Sequence, residues 1–209
     1  MIWQEKSFDR QVVSLLEKSD EISPMTAKLL STRSISSVLH AENFLKPKLA
    51  NLRDPFEIPH MHHAVDRIKN ALSSKEQILL VGDYDADGIS SVSIIQKVLF
   101  ELGGYSSYVI PKRLDEGYGL TRKVLDRGLN NKNVSLVIAL DCGTNSTEEA
   151  HFLEKHGIDL IVVDHHQAKG DISDHGIILN PHLGDNQEMP WKNLCTAGLA
   201  FKISHALVK

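Results

Sequence analysis

Ile78-Leu79-Leu80-Val81-Gly82-Asp83-Tyr84-Asp85-Ala86-Asp87-Gly88 holds the change of pattern that decides the fold. A short unbroken apolar run closed by glycine fits a strand covered on both faces. Beyond the acids, Ile89, Val92, Ile95, Leu99 and Leu102 recur at helical spacing until Gly103-Gly104 stops the stripe. The apolar runs at 108–110, 136–140, 160–163 and 177–179 repeat the first, separated mostly by helix-like segments. Between two of them, Ser146 and Glu149 have the spacing of a capping box, and Gly157 closes the helix they would open. Strand alternating with helix predicts an α/β fold: an open, doubly wound, mainly parallel five-stranded sheet.

Outward from that core, Phe8, Val12, Leu15 and Leu16 form a helical stripe, and Ser23-Pro24 reads as a cap with proline at the first helical position. A second helix is expected there. Prolines punctuate 44–59, a connector, before Met61, Ala64, Val65, Ile68 and Leu72 resume helical spacing. The expected organisation is an N-terminal helical extension and connector over 1–59, then a catalytic domain over 60–209. A last helix is expected over 197–208, and a chain stopping at Lys209 is expected to be truncated.

With 209 residues and 42% hydrophobic composition the chain can bury a sizeable core. Cys142 and Cys195 are too few for a disulfide framework, and the chain opens on no charged-then-apolar leader. No apolar run approaches the ~20 residues of a membrane span. These features predict a cytoplasmic protein without a membrane partner. A net charge of -4 argues against a general basic nucleic-acid coat, so such a partner would need a local patch or bound cations.

The first, third and fourth apolar runs each lead into aspartate: Asp83, Asp85 and Asp87 after the first, Asp141 after the third, Asp164-His165-His166 after the fourth. In a parallel sheet these ends share the carboxyl edge, where such folds place ligands. Unit charges about 4 Å apart repel by about 4 kcal/mol at an effective dielectric of about 20. Divalent cations relieve that repulsion, and oxygen ligands joined by imidazole suit two Mn²⁺ ions, with Mg²⁺ the harder alternative. Ordinary readings compete. An EF-hand fails because Ile94 stands where its bidentate glutamate belongs, and a dehalogenase-like site fails because Asp87 stands where threonine or valine belongs. No Gly-x-Gly-x-x-Gly follows the first run, which disfavours a nucleotide cofactor. His60, His62 and His63 read as surface groups, Cys142 as a small buried residue, and Gly82, Gly88 and Gly143 as tight-turn positions. A phosphoacceptor receiver domain, with Asp141 as acceptor, would want lysine where Asn180-Pro181-His182 stands, and it leaves His165-His166 unexplained.

The run from Asp83 to Gly88 resembles the first motif of RecJ nucleases, Asp141-Cys142-Gly143 the second, and Asp164-His165-His166 the signature of the DHH phosphoesterase superfamily. Phe44-Leu45-Lys46-Pro47, Asp54-Pro55-Phe56, Ile110-Pro111-Lys112-Arg113 and Glu116-Gly117-Tyr118-Gly119-Leu120 are similar to the RecJ lead-in and connector. Ser34 and His60 depart from the pattern, standing where glycine and an acid are expected. The resemblance implies that Asp85, Asp87, Asp141 and His165 ligate two metals, with Asp141 bridging and Asp83 assisting. It implies that Asp164 orients a histidine and that His166 faces the scissile phosphate. It further implies a 5′-to-3′ exonuclease on single-stranded DNA in repair and recombination, working beside other repair proteins. A fourth metal-bearing motif would lie beyond the last helix, so the stretch by itself is expected to hold metal weakly and cleave slowly. A DHH-type oligoribonuclease or small-nucleotide phosphatase is the related alternative, but such relatives usually carry histidine where Val81 stands. Arg113 is the candidate phosphate contact and Lys112 the second, against an ion pair of Arg113 with Asp115 or Glu116. Tyr118 is read as core or as a base-stacking ring.

Overall fold

The computed structural model describes residues 4, 6–130, 133–170, 172–184 and 189–209. Strand β1 (Gln77–Gly82) lies between β2 (Tyr105–Val109) and β3 (Val134–Leu140); β4 (Asp159–Val163) and β5 (Ile177–Leu179) continue the sheet in the order β2-β1-β3-β4-β5. Every pairing is parallel. The side chains of β1 alternate between two cores, which is why its sequence has no polar break. Ile78 and Leu80 pack with helices α4 (Met61–Ser73), α5 (Ala86–Glu101) and α8 (Thr196–Val208), while Leu79 and Val81 pack with α6 (Arg122–Leu129) and α7 (Thr147–Lys155). The fold is therefore an α/β doubly wound parallel sheet, and no described helix is long and apolar enough to cross a membrane.

The runs at 78–81, 136–140, 160–163 and 177–179 lie within β1, β3, β4 and β5. The second run does not match: β2 starts at Tyr105 and ends at Val109, whereas the apolar run spans 108–110. An edge strand has one neighbour, so Tyr105 and Tyr108 are exposed and only Val109 is buried, which leaves little apolar signal. The expected capping box at α7 also fails. Ser146 makes no side-chain cap there; its hydroxyl donates to the Leu120 carbonyl instead (3.1 Å).

Two compact units divide the chain, Met1–Arg53 and Asp54–Lys209. The first holds α1 (Arg10–Leu16), α2 (Pro24–Ser31) and α3 (Val38–Leu45), capped by Asp9, Ser23 and Ser37. Their apolar faces meet at Leu16, Ala27, Leu30 and Ala41, joined by Ile35 from the turn after α2. After α2 the chain turns through Ser34, whose φ of 61° is left-handed, while Ile35 N donates to Leu30 O (3.2 Å). That closure favours glycine, which explains why glycine is the expected residue there. The left-handed conformation costs a residue with a Cβ about 1–2 kcal/mol. Ser34→Gly should therefore stabilise the Met1–Arg53 unit by about 1 kcal/mol in chemical denaturation; a loss of stability would refute the strain.

Candidate metal centre

The strand ends are in register. Gly82 of β1 pairs with Leu140 of β3, Leu140 with Val163 of β4, and Val163 with Leu179 of β5. The next residue on each strand is Asp83, Asp141, Asp164 and Asn180, and the row is laced by backbone bonds. Asp83 N donates to Leu140 O (3.2 Å), Asp141 N to Val163 O (2.9 Å) and Asp164 N to Leu179 O (3.1 Å). Because β2 and β3 flank β1, the connections from β1 and β2 cover opposite faces and leave a crevice at this edge. Asp141 itself adopts a left-handed φ of 67°, backbone strain of a kind that collects at functional sites.

Beyond the row, Asp85 caps α5: its Oδ1 accepts from Asp87 N (2.9 Å) and Gly88 N (3.0 Å). Gly88 is required by space, since a Cβ there would meet the Asp83 carbonyl oxygen at 2.5 Å. Asp87 reaches across the fold, accepting from Thr196 N (2.8 Å) and Ala197 N (2.7 Å) in the first turn of α8. The Thr196 hydroxyl donates to Asp141 Oδ1 (2.9 Å). His165 Nε2 stands 3.5 Å from both Asp87 Oδ2 and Asp141 Oδ1. Ligand-capable atoms of Asp83, Asp85 and Asp141 lie within 4.8 Å of one another, as do those of Asp141, His165 and His166. Asp141 belongs to both trios.

Asp164 works through hydrogen bonds. Its Oδ1 accepts from His165 N (2.8 Å), His166 N (3.1 Å) and His166 Nδ1 (2.8 Å), and its Oδ2 from the Thr144 amide (3.2 Å) and hydroxyl (2.7 Å). On the far side of His166, Tyr118 Oη lies 3.2 Å from Nε2. Tyr118 is half exposed and so is not a core residue; its ring meets Tyr84 edge-on at 6.2 Å. Arg113 lies over Tyr84, 5.3 Å from the ring centre. The expected partner Glu116 is taken elsewhere: Arg127 grips it with two bonds of 2.7 Å, and Lys112 N donates to it (2.7 Å). The Lys112 side chain is exposed. His62 stacks on Phe56 at 4.2 Å, and Cys142 is buried as expected.

The description "DHH family, N-terminal domain" matches residues 77–208. The chain belongs to the DHH family. It is similar to the single-stranded-DNA-specific exonuclease RecJ of Bacillus subtilis (strain 168), 36% identical over all of this chain and 26% of that protein. RecJ of Escherichia coli (strain K12) is 30% identical over 95% of the chain and 33% of its own length. The solved RecJ of Thermus thermophilus in complex with Mn²⁺ superposes with a TM-score of 0.70 at 26% identity, over 95% of this chain and 26% of that one. The chain thus spans between a quarter and a third of the length of these curated relatives. DHH membership sets aside the receiver-domain alternative.

Electrostatics in the DHH row separates the acids. Burial holds Asp83 above the usual carboxylate range, and burial together with Asp87 and Asp85 pushes Asp141 up to about 7, against the bond from Thr196. The Gly88 amide leads in lowering Asp85. For Asp164 burial acts upward, but the bonds from Thr144 and His166 outweigh it and leave the carboxyl lowered. His166 is raised: burial lowers it and Asp164 more than compensates. Asp83 Oδ1 and Asp141 Oδ2 are buried without a hydrogen-bond partner among the described residues. Buried carboxylate oxygens are costly unless something positive meets them. The donor set, oxygens with one or two imidazoles, fits a hard or borderline divalent cation.

Thr144, Asn180 and Thr196 are the site residues that sequence reading missed. The helix-start signal before Ala197 is visible in the chain, but nothing local tells that the first turn of α8 is capped by an aspartate 109 residues earlier. The folded-state pKa of Asp141 lies above its unfolded value of 3.8, so without metal the stability tied to its proton is complete below about pH 4 and lost as pH rises through about 7. Asp141→Asn should therefore raise the Tm of metal-free protein at pH 8 by several degrees, at about 2–4 °C per kcal/mol for this size. The gain should vanish near pH 4, and a lower Tm at pH 8 would contradict it.

Proposed function

We propose that this chain carries the metal-holding part of a hydrolase that digests single-stranded DNA from its 5′ end, in repair and recombination. The observation that carries the proposal is the convergence of Asp83, Asp85, Asp141 and His165 on one rim with two buried carboxylate oxygens left over. The RecJ relatives supply the substrate class, and their solved complexes with Mn²⁺ and with Mg²⁺ support a divalent ion of this kind, of which the imidazole among the proposed ligands favours Mn²⁺. Asp85, Asp87, Asp141 and His165 would hold two ions, Asp141 between them and Asp83 assisting. Such ions, when bound, lower the pKa of a water and neutralise charge on the leaving oxygen.

The chain's own residues do the rest. Asp164 keeps a proton on His166 Nδ1 and turns Nε2 toward the rim, where the imidazolium form can hydrogen-bond the phosphate and give a proton to the leaving oxygen. Asp87, with both oxygens on the first turn of α8, ties that helix to the rim. Arg113, with its guanidinium over Tyr84, and Lys112 are proposed to contact the DNA backbone. Other repair proteins are proposed partners of the whole protein, on the function alone.

In the whole protein, Asp85→Ala and His165→Ala should each lower Mn²⁺-dependent digestion of single-stranded DNA by more than about 100-fold, since even residues one shell further out cost about 10–100-fold. Double-stranded DNA should be a poor substrate throughout. Undiminished cleavage by either variant would sink the metal assignment. Arg113→Ala should weaken single-strand binding and reduce the slope of log affinity against log salt by about 0.7; an unchanged slope would remove Arg113 from the phosphate path.

A further inference from the structure

The fourth position of the row is an amide. Asn180 follows β5 as Asp83, Asp141 and Asp164 follow β1, β3 and β4, and it is buried. Its orientation is fixed by two backbone groups. His182 N, which can only donate, points at Oδ1 (2.9 Å), and His166 O, which can only accept, lies 2.9 Å from Nδ2. The remaining Nδ2 proton therefore goes to Thr144 Oγ1 (2.9 Å). A threonine hydroxyl has one proton, so having accepted from Asn180 it gives its own to Asp164 Oδ2 (2.7 Å). Asp164, the acceptor at the end of this chain, leaves His166 Nδ1 no role but donor (2.8 Å).

We infer that Asn180 and Thr144 are positioning residues that hold the Asp164 carboxylate and the His166 carbonyl in place and so fix the pose in which His166 Nδ1 donates to Asp164. The inference rests on the role proposed above for His166. Asn180 acts twice, through Thr144 on the Asp164 carboxylate and directly on the His166 carbonyl. Two of the links arrive from β5 and the third from the loop after β3, so the imidazole is held from two strand ends besides its own. With Nδ1 committed to Asp164, Nε2 is the ring atom left for Tyr118 Oη and for substrate. An aspartate at 180 would have no proton to offer Thr144 or the His166 carbonyl, which is a physical reason for the change from acid to amide at the last place in the row.

The test uses Thr144→Val, which keeps shape but has no hydroxyl, Thr144→Ser, which restores one, and Asn180→Ala. The ¹⁵N shifts of His166 in this chain read the state of Nδ1 without reference to cleavage. They should report Nδ1 protonated and hydrogen-bonded to Asp164 in the wild type and in Thr144→Ser, and a weakened or exchanging Nδ1 bond in Thr144→Val and Asn180→Ala. In the whole protein Thr144→Val should lower kcat about 10–100-fold with little change in KM or in Mn²⁺ affinity, and Thr144→Ser should recover most of it. Should Thr144→Val not fold, Asn180→Ala against wild type carries the same comparison. Wild-type shifts that already show a weakened or exchanging Nδ1 bond, or variants with wild-type shifts and kcat, would overturn the inference. A wild type with the fixed Nδ1 bond but no nuclease activity would instead overturn the proposed function and leave the hydrogen-bond chain standing.

Discussion

The register of four parallel strands is the constraint on which the site depends. Gly82, Leu140, Val163 and Leu179 lie level, so the residue after each is delivered to one rim, and the amides of Asp83, Asp141 and Asp164 each bond the carbonyl at the end of the adjacent strand. The spacing of the acids along the rim is thus set by the spacing of strands, about 4.8 Å, and by packing on both faces of the sheet. Sliding one strand by a residue would turn buried aliphatics toward the wrong core as well as misplacing the acid. The same apolar packing that folds the domain therefore fixes the chemistry.

Carboxylates brought so close oppose one another, and the surrounding residues share out that cost unequally. Asp85 and Asp164 are given amides, a hydroxyl and an imidazole and stay ionised; Asp83 and Asp141 keep buried oxygens without such partners and are driven toward protonation. Asp164 is thereby spent on structure, whereas Asp83, Asp141 and Asp85, which gives only Oδ1 to the amides of α5, are placed to take a cation. The start of α8 joins the two roles, because Thr196 meets Asp141 while its amide and that of Ala197 meet Asp87. Helix docking and acid placement are one event there, aided by the positive end of the helix dipole.

Much of this is legible in the chain. Central strands announce themselves because they are buried on both faces, and acids directly after them must fall on the carboxyl edge, so Asp83, Asp141 and Asp164 can be grouped from the sequence. The edge strand is misplaced by the same reading because Tyr105-Ser106-Ser107 has the composition of a surface, not of a core. Ser146 has the right spacing for a cap, but the nearby Leu120 carbonyl competes for its hydroxyl. Thr144, Asn180 and Thr196 are invisible for a common reason: each acts through a contact between segments that only the sheet order brings together, and single polar residues in loops or at a helix start carry no periodic signal.

The most direct measurement is anomalous scattering at the manganese edge from crystals of this chain grown with Mn²⁺. The account predicts density at the rim contacting Asp85, Asp141 and His165, with Asp141 shared if two ions bind. Manganese found only elsewhere on the molecule, with those side chains turned away from one another, would contradict it.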